Sequence, residues 1–213
     1  MRPTIRLVTV IFYGLALAAC GGGGGDDDGG ASSASGSFAD CFSASRTVNY
    51  RLDMPFGTVP ASYGPGIFQN RAAVMWATYL PDGAAYKIYW AVTSNSVITL
   101  GSIDSDGTVI PSNPADNTMP FMRPGDYYDT GYYVDSDGEP VRPSRTTFVG
   151  FETLTLAGRK FTNVCHFRDQ DLLDNGNLDP SDKPDDIWSA PEYGPIRHVT
   201  AGVTVEYEYA GER

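Results

Sequence analysis

The sequence predicts a mainly β domain in which antiparallel strands are joined by long irregular loops. Composition is the first indication, because 13 tyrosines, 24 glycines and 15 prolines accompany few leucines, lysines and glutamates, a balance that favours strands and turns over helices. Alternation of apolar with polar residues, which is typical of strands with one buried face, recurs between turn signals along the chain.

The clearest alternating pattern is a hairpin between Phe148 and Arg168. Two alternating runs flank Ala157-Gly158-Arg159, which supplies the reversal of chain direction. The second arm also contains Cys165, so this hairpin is expected to hold one end of a disulfide.

Further strands are predicted on both sides of this hairpin. The runs are Arg46–Leu52, Ala72–Leu80, Ala84–Thr93, Val97–Ile103, Thr108–Ile110 and Val203–Tyr209. Pro81-Asp82-Gly83 forms the turn between the second and third runs, because proline presets φ and glycine accepts positive φ. A helix from Arg71 to Tyr79 is the alternative for the second run. The prolines and glycines between Pro55 and Gly66 are expected to interrupt regular structure.

Residues 1–19 are predicted to be a signal peptide, since Arg2 and Arg6 precede an apolar run that is short for a membrane span. The ending Leu17-Ala18-Ala19-Cys20 resembles the lipobox of bacterial lipoproteins, which implies cleavage before Cys20 and attachment of lipid to its thiol. A transmembrane anchor is the alternative.

A tether is expected to follow the lipidated cysteine. Residues 20–37 consist mainly of Gly, Asp, Ser and Ala and cannot bury enough apolar surface to fold. Proteobacterial lipoproteins with Asp directly after the lipidated cysteine tend to stay at the inner membrane. Gly21 occupies that position here, and resemblance to this sorting rule implies the outer membrane of a Gram-negative bacterium.

Residues 38–213 are predicted to form a single all-β domain, large enough for a substantial core. The net charge of the whole chain is -11, and no stretch of sequence concentrates Lys and Arg. Nucleic-acid binding needs a basic footprint, so nucleic acid is not an expected partner.

Three cysteines occur in the chain, and lipidation of Cys20 leaves Cys41 and Cys165. In an oxidising envelope compartment these two are predicted to form a disulfide. A reactive thiol pair is the alternative, but the two cysteines lack the C-x-x-C spacing that would support it.

The run Asp126–Val134 contains four tyrosines, Tyr127, Tyr128, Tyr132 and Tyr133. Exposed together they would form a stacking platform for sugars or for another chain. The alternative is a strand on which alternate tyrosines enter the core. These four and Trp188 are the candidate contacts for a ligand or partner.

The segment from Asp169 to Asp186 is rich in aspartate and asparagine, the oxygen ligands that a hard cation prefers. The candidate Ca²⁺ ligands are Asp169, Asp171, Asp174, Asn175, Asn177 and Asp179. The register of an EF-hand loop fits poorly, because leucine would occupy the first and sixth positions, and a solvated acidic loop is the alternative. The two Asp-Ser-Asp-Gly motifs, at 104–107 and 135–138, are interpreted as hairpin turns.

No catalytic residue is assigned, because the chain contains no nucleophile elbow, P-loop, dinucleotide fingerprint or H-E-x-x-H motif. The chain has two histidines, His166 and His198. They would approach one another and bind a metal only if their strands paired, and surface or core histidines are the alternative. No cofactor other than calcium is expected.

Several segments together resemble a pattern found in DUF3108-like and TapB-like envelope lipoproteins. The matching positions are Gly150-Phe151-Glu152-Thr153, Ala157-Gly158, Phe161, Cys165, Trp188-Ser189-Ala190-Pro191 and Gly194-Pro195-Ile196-Arg197. The resemblance covers roughly the last seventy residues. It implies a single, strongly curved antiparallel sheet or a half-open barrel or sandwich, similar to that of lipoprotein carriers, and no common chemistry.

These observations predict a non-catalytic lipoprotein, anchored to the membrane by lipid, that binds a lipid-like ligand or an envelope protein through the concave face of its sheet. An accessory subunit of a cell-surface complex is the alternative, and an envelope hydrolase is a third hypothesis.

Overall fold

The computed structural model describes residues 36–112, 118–129, 133–134, 140–141, 143–200, 202 and 204–213. The predicted signal peptide, Cys20 and the tether before residue 36 lie outside these ranges. The described chain is almost entirely β, which confirms the predicted fold class. Within it, no helix has the length and hydropathy needed to cross a bilayer.

A short 3-10 helix, Phe38–Phe42, precedes the strands. The strands are β1 (Val48–Met54), β2 (Gly57–Phe68), β3 (Arg71–Tyr79), β4 (Ala85–Val92), β5 (Ser96–Ile103), β6 (Val109–Pro111), β7 (Thr118–Pro120), β8 (Tyr127–Asp129), β9 (Tyr133–Val134), β10 (Pro140–Val141), β11 (Ser144–Leu156), β12 (Arg159–Asp171), β13 (Asp185–Ala190), β14 (Gly194–Thr200) and β15 (Thr204–Glu212).

Thirteen of these strands form one antiparallel sheet that does not close into a barrel. The order is β6-β5-β4-β3-β2-β1-β15-β14-β13-β12-β11-β8, and β7 pairs with β5. Strong curvature brings the start of β12 back over β15, because the rings of Phe161 and Tyr209 lie 4.9 Å apart although two strands separate them in the sheet. The expected open, curved sheet is therefore present.

The inner face of this curve is filled by the chain's own aromatic side chains. Phe38 and Phe42 of the 3-10 helix are buried, and the ring of Phe38 contacts those of Phe148 and Phe167 at 5.2 and 5.7 Å. The buried hydroxyl of Tyr50 accepts from the Trp76 indole at 2.9 Å and donates to the carbonyl of Tyr193 at 2.9 Å. The described members of this core extend along the chain from Phe38 to Tyr209.

The predicted disulfide between Cys41 and Cys165 is confirmed, with the two Cα atoms 6.1 Å apart. It joins the 3-10 helix to β12. The predicted hairpin is also confirmed as β11 and β12, with Ala157 and Gly158 both at positive φ in the two-residue turn. The helix considered for Arg71–Tyr79 is strand β3 instead.

The expected interruption between Pro55 and Gly66 was wrong, because β2 runs through most of it. Proline disrupts a strand only where its missing N–H faces a neighbour. Pro60 pairs with β1, but the β2–β3 register stops at Ala61. Pro65 pairs with β3, but the β1–β2 register stops at Tyr63. Each proline therefore lies where β2 has a neighbour on one side only, an edge-like position inside the sheet.

Candidate functional site on the outer face of the sheet

The outer face of β11–β13 holds a histidine between two carboxylates. The Nδ1 atom of His166 lies 2.6 Å from a Glu152 oxygen, and its Nε2 atom lies 2.7 Å from an Asp186 oxygen. Arg168 also donates to Asp186, at 3.0 Å. The imidazole is almost fully buried, and it bridges three adjacent strands.

The hydrogen-bonding capacity of imidazole bears on how His166 binds Glu152 and Asp186. A neutral imidazole has one N–H and one lone pair, so it cannot donate to both carboxylates at once. Both ring nitrogens of His166 lie within hydrogen-bond distance of a carboxylate, so Glu152, His166 and Asp186 form a polar tie across the sheet. The described contacts of the tie are with the carboxylates of Glu152 and Asp186 and with Arg168.

Trp188, a predicted contact residue, lies beside this tie and is enclosed by it. Its ring stacks on His166 with the centroids 4.5 Å apart, and the Arg197 guanidinium lies 5.1 Å from the ring on the next strand. Its indole nitrogen donates to Glu152 at 3.0 Å. His166 and Arg197 are its cross-strand neighbours on β12 and β14. The Trp188 side chain is half-buried between them.

The other half of the outer face, formed by β2–β6, is apolar. Successive side chains of a strand point to opposite faces. Trp76 and Trp90 enter the main core, so Met75 and Tyr89 point outward. The apolar outer patch comprises buried Phe68, Tyr89 and Leu100 and half-buried Ala73, Met75, Ala91, Ile98 and Ile103. Exposed Val109 pairs with Ile103 and extends it.

This patch was not singled out by the sequence analysis, although a signal for it exists. Half-wet antiparallel strands alternate apolar with polar residues, and strands with two apolar faces have continuous apolar runs. Val74-Met75-Trp76 and Ile88-Tyr89-Trp90 are such runs. Continuous runs indicate a central strand, and β3 and β4 are central strands that carry a second apolar cluster on their outer face.

The tyrosine-rich segment is described only in part. Tyr127 on the edge strand β8 is 55% exposed, and the Arg145 guanidinium lies 4.0 Å from its ring centre. Arg145 also donates twice to Asp129, at 2.6 and 2.8 Å. Tyr128 faces the other way and packs against the core, as the alternation hypothesis predicts for one of the pair. Tyr132 and the side chain of Tyr133 lie outside the described residues.

The acidic segment forms the loop between β12 and β13, and its side chains serve local structure. Asp179 is buried and accepts from the backbone and hydroxyl of Ser181 at 2.8 and 2.6 Å. Asn175 accepts from the backbone of Asn177 at 3.0 Å. Asp174 lies in the same loop, and Asp171 ends β12. Among the described residues no three His, Cys, Asp or Glu side chains are grouped so as to hold a metal. Calcium binding stays a prediction.

Asp169 lies apart from that loop, on the inner face of β12. It accepts from the hydroxyls of Ser144 and Thr146 at 3.1 and 2.7 Å. Burial, opposed by these two hydrogen bonds and reinforced by the charges of Asp185 and Asp171, raises the pKa of Asp169 to about 6.

The two histidines do not meet. His166 pairs with Trp188 and His198 pairs with Ile187, and these adjacent β13 residues point to opposite faces. His198 is buried on the inner face, where its Nε2 atom lies 3.4 Å from an Asp185 oxygen. A shared metal site between the histidines is therefore ruled out by the topology.

No protein-family model matches the chain, and comparisons with curated proteins and with solved structures find no match. The resemblance to DUF3108-like and TapB-like lipoproteins stays a prediction.

Proposed function

We propose that this protein is a non-catalytic, lipid-anchored envelope protein that binds another envelope protein through the apolar outer patch of β2–β6. The lipobox-like sequence ending at Cys20 supports the anchor, and the outer membrane is the proposed location. Several acyl chains on one residue would hold the protein on a membrane stably.

The observation that carries this proposal is the apolar character of both faces of β2–β5. The inner face packs on Phe38, Phe42 and the aromatic core, so the described chain already fills the surface on which a lipid-like ligand was expected. The outer face carries the second apolar cluster around Tyr89. A contiguous apolar patch bordered by polar residues is typical of protein-binding surfaces. The partner would present a complementary apolar surface to it.

Site-directed photo-crosslinking in the producing cells, with the crosslinker at Met75, tests this binding. Ile98→Lys places a charge in the patch and should abolish the crosslinked product. Val205→Lys is the matched control, because Val205 is 41% exposed on β15, outside the patch. Retention of the product in Ile98→Lys would refute the site. A lipid-sized mass on the purified protein by native mass spectrometry would favour ligand carriage instead.

The anchor is tested separately. Mass spectrometry of the mature N-terminal peptide should find a diacylglyceryl group on Cys20, and Cys20→Ser should release the protein from the membrane fraction. An unmodified Cys20 in membrane-bound protein would favour the transmembrane alternative.

A second candidate function, an accessory subunit of a surface complex, has one observation in its favour. Tyr127 and Arg145 lie at the sheet edge with the guanidinium held over the exposed ring, and Tyr and Arg are among the residue types that most often anchor interfaces. Loss of complex assembly in Tyr127→Ala, with the Met75 crosslink retained, would favour this function over the first.

A further inference from the structure

The curved sheet has two ends with opposite charge. At the far end lie the loops 80–84, 104–108 and 172–184, which follow β3, β5 and β12. These loops contain six aspartates and one lysine, namely Asp82, Asp104, Asp106, Asp174, Asp179, Asp182 and Lys183. The opposite end, where β12 and β14 begin and β15 terminates, is called the entry end, because the chain enters the sheet there.

Basic side chains from four separate segments converge at the entry end. They are Arg46, Arg51, Arg159, Lys160 and Arg213, and they outnumber the acidic Glu192 and Glu212 at the same end. Arg159 forms an ion pair with Glu212, and both Arg159 and Arg46 contribute to lowering the pKa of that carboxyl, after its hydrogen bond from Tyr193. The backbone nitrogen of Arg213 donates to the carbonyl of Asn49 at 3.1 Å, which places it beside the start of β1.

Gly36, the first described residue, also lies toward this end. Gly36 packs against β12 so closely that a Cβ on it would lie 2.9 Å from the Cβ of Asn163. Asn163 is three residues along β12 from Lys160, a separation of about 10 Å at the rise of a strand. A chain anchored through Cys20 therefore enters the fold near the end that carries the basic residues.

We propose that the entry end is a docking surface for anionic phospholipid headgroups, so that the domain sits on its membrane with the basic residues inward and the acidic loops outward. This inference rests on the proposed lipid anchor. The occupant follows from charge complementarity and from the point at which the tethered chain enters the fold. Each Lys or Arg near an anionic bilayer strengthens binding about fivefold.

Six of the acidic side chains behind the net charge of -11 lie at the far end, and their distance limits their effect on this docking. The 13 residues of β12 separate the two ends by about 40 Å at the rise of a strand. The Debye length is about 8 to 10 Å at physiological ionic strength. A membrane in contact with the entry end therefore interacts with the basic residues there and is screened from the far-end aspartates.

The test uses the chain from Gly21 onward, without lipid, so that its outcome does not depend on whether Cys20 is modified. Its binding to phosphatidylcholine vesicles is compared with its binding to vesicles that also contain phosphatidylglycerol, at low and at high salt. Binding should require phosphatidylglycerol and should weaken with salt. Arg46→Gln and Lys160→Gln, two exposed positions, should each weaken it about fivefold and together about 25-fold.

Lys87→Gln and Lys183→Gln are the matched controls, because each removes one positive charge at or near the far end of the sheet. They should leave vesicle binding unchanged, and urea denaturation checks that the single, double and control variants are all folded. Binding that is absent, that occurs equally on neutral vesicles, or that falls equally in the two sets of variants would overturn the proposal.

A second readout uses the intact lipidated protein reconstituted on both kinds of vesicle. An amine-reactive reagent should label Lys160 more slowly on the phosphatidylglycerol vesicles than on the neutral ones, and Lys183 at the same rate on both. Equal labelling of Lys160 on the two surfaces would overturn the proposed orientation even if the lipid anchor is present.

Discussion

Replacing Asp169 with asparagine should make the stability of the protein less dependent on pH. The Asp169 carboxyl is largely buried and accepts hydrogen bonds from Ser144 and Thr146. The charges that act on its pKa are those of Asp185 and Asp171, and both raise it. Its pKa in the folded protein is about 6, whereas an unfolded chain has a value near 3.9. The folded protein therefore holds this proton more tightly than the unfolded chain does.

The sign of the effect follows from this difference. A raised pKa gives a contribution to stability that is complete below about pH 4 and is lost as the pH rises through about 6. A pKa difference of about two corresponds to about 3 kcal/mol. The asparagine introduced by Asp169→Asn has no proton to lose, and its side-chain oxygen accepts the same two hydroxyl hydrogen bonds. The variant and the native protein should then differ little at pH 4, and the variant should be more stable by about 2 to 3 kcal/mol at pH 7.5.

Urea denaturation followed by tryptophan fluorescence measures this at both pH values. Asp106→Asn is a control of opposite sign, because backbone and side-chain hydrogen bonds with Thr108 lower the pKa of exposed Asp106. That variant should lose stability relative to the native protein at neutral pH and should lose less in acid. A difference between Asp169→Asn and the native protein that does not change with pH would refute the reasoning.

Four further variants test other parts of the fold by the same urea assay. Replacing both Cys41 and Cys165 by serine opens a loop with a sequence separation of 124 and should cost about 4 kcal/mol; a loss below about 1 kcal/mol would contradict the role given to the disulfide. Gly194→Ala should cost about 2 to 4 kcal/mol, because a Cβ at this φ of +64 would lie 2.3 Å from the buried ring of Tyr63. Gly158→Ala is its control: Gly158 has a φ of +77 with open space around it, so this variant should cost only about 1 kcal/mol. Trp188→Phe should lose about 1 kcal/mol with its 3.0 Å hydrogen bond and retain the crosslink to a partner; loss of the crosslink at unchanged stability would identify Trp188 as a contact residue after all.

Local patterns predicted those elements whose partners are close in sequence. The alternation of Val48, Tyr50 and Leu52 appears as three buried residues between exposed ones in β1. The β11–β12 hairpin needed only two adjacent runs and a turn. The disulfide followed from counting cysteines, since a single pair remained after Cys20 was assigned to lipid. In each case the signal lay in one stretch of sequence or in the composition.

The remaining features depend on which strands are neighbours, and that information is not local. Pro60 and Pro65 are compatible with β2 only because the registers with β1 and β3 end beside them. His166 finds Glu152 and Asp186 across two different strand pairs. A pattern within one strand contains neither fact.

Strand neighbours cannot be read from local sequence, and for the same reason the basic entry end of the sheet is not visible as a basic run in the sequence. Antiparallel strands bring alternate loops to the same end of a sheet, so residues that are distant in sequence add their charges there. Arg46 and Lys160 are far apart in the sequence, yet both lie where the chain enters the fold. Charge patterning along a sequence therefore describes a β protein poorly until the loops are assigned to ends.

The two halves of the outer face should contribute differently to the stability of the protein and to partner binding. The His166 tie and the enclosed Trp188 occupy one half of the outer face with groups that satisfy one another, so changes there should alter the free energy of unfolding. The apolar half around Met75 and Ile98 has no such internal partners in the described chain beyond its own cluster. Because a charge at Ile98 is placed at a half-buried surface position, it should affect association far more than folding. Variants in the two halves should therefore fall into distinct groups when urea midpoints are plotted against crosslinking yield, and a single correlated series would contradict the assignment of the binding surface.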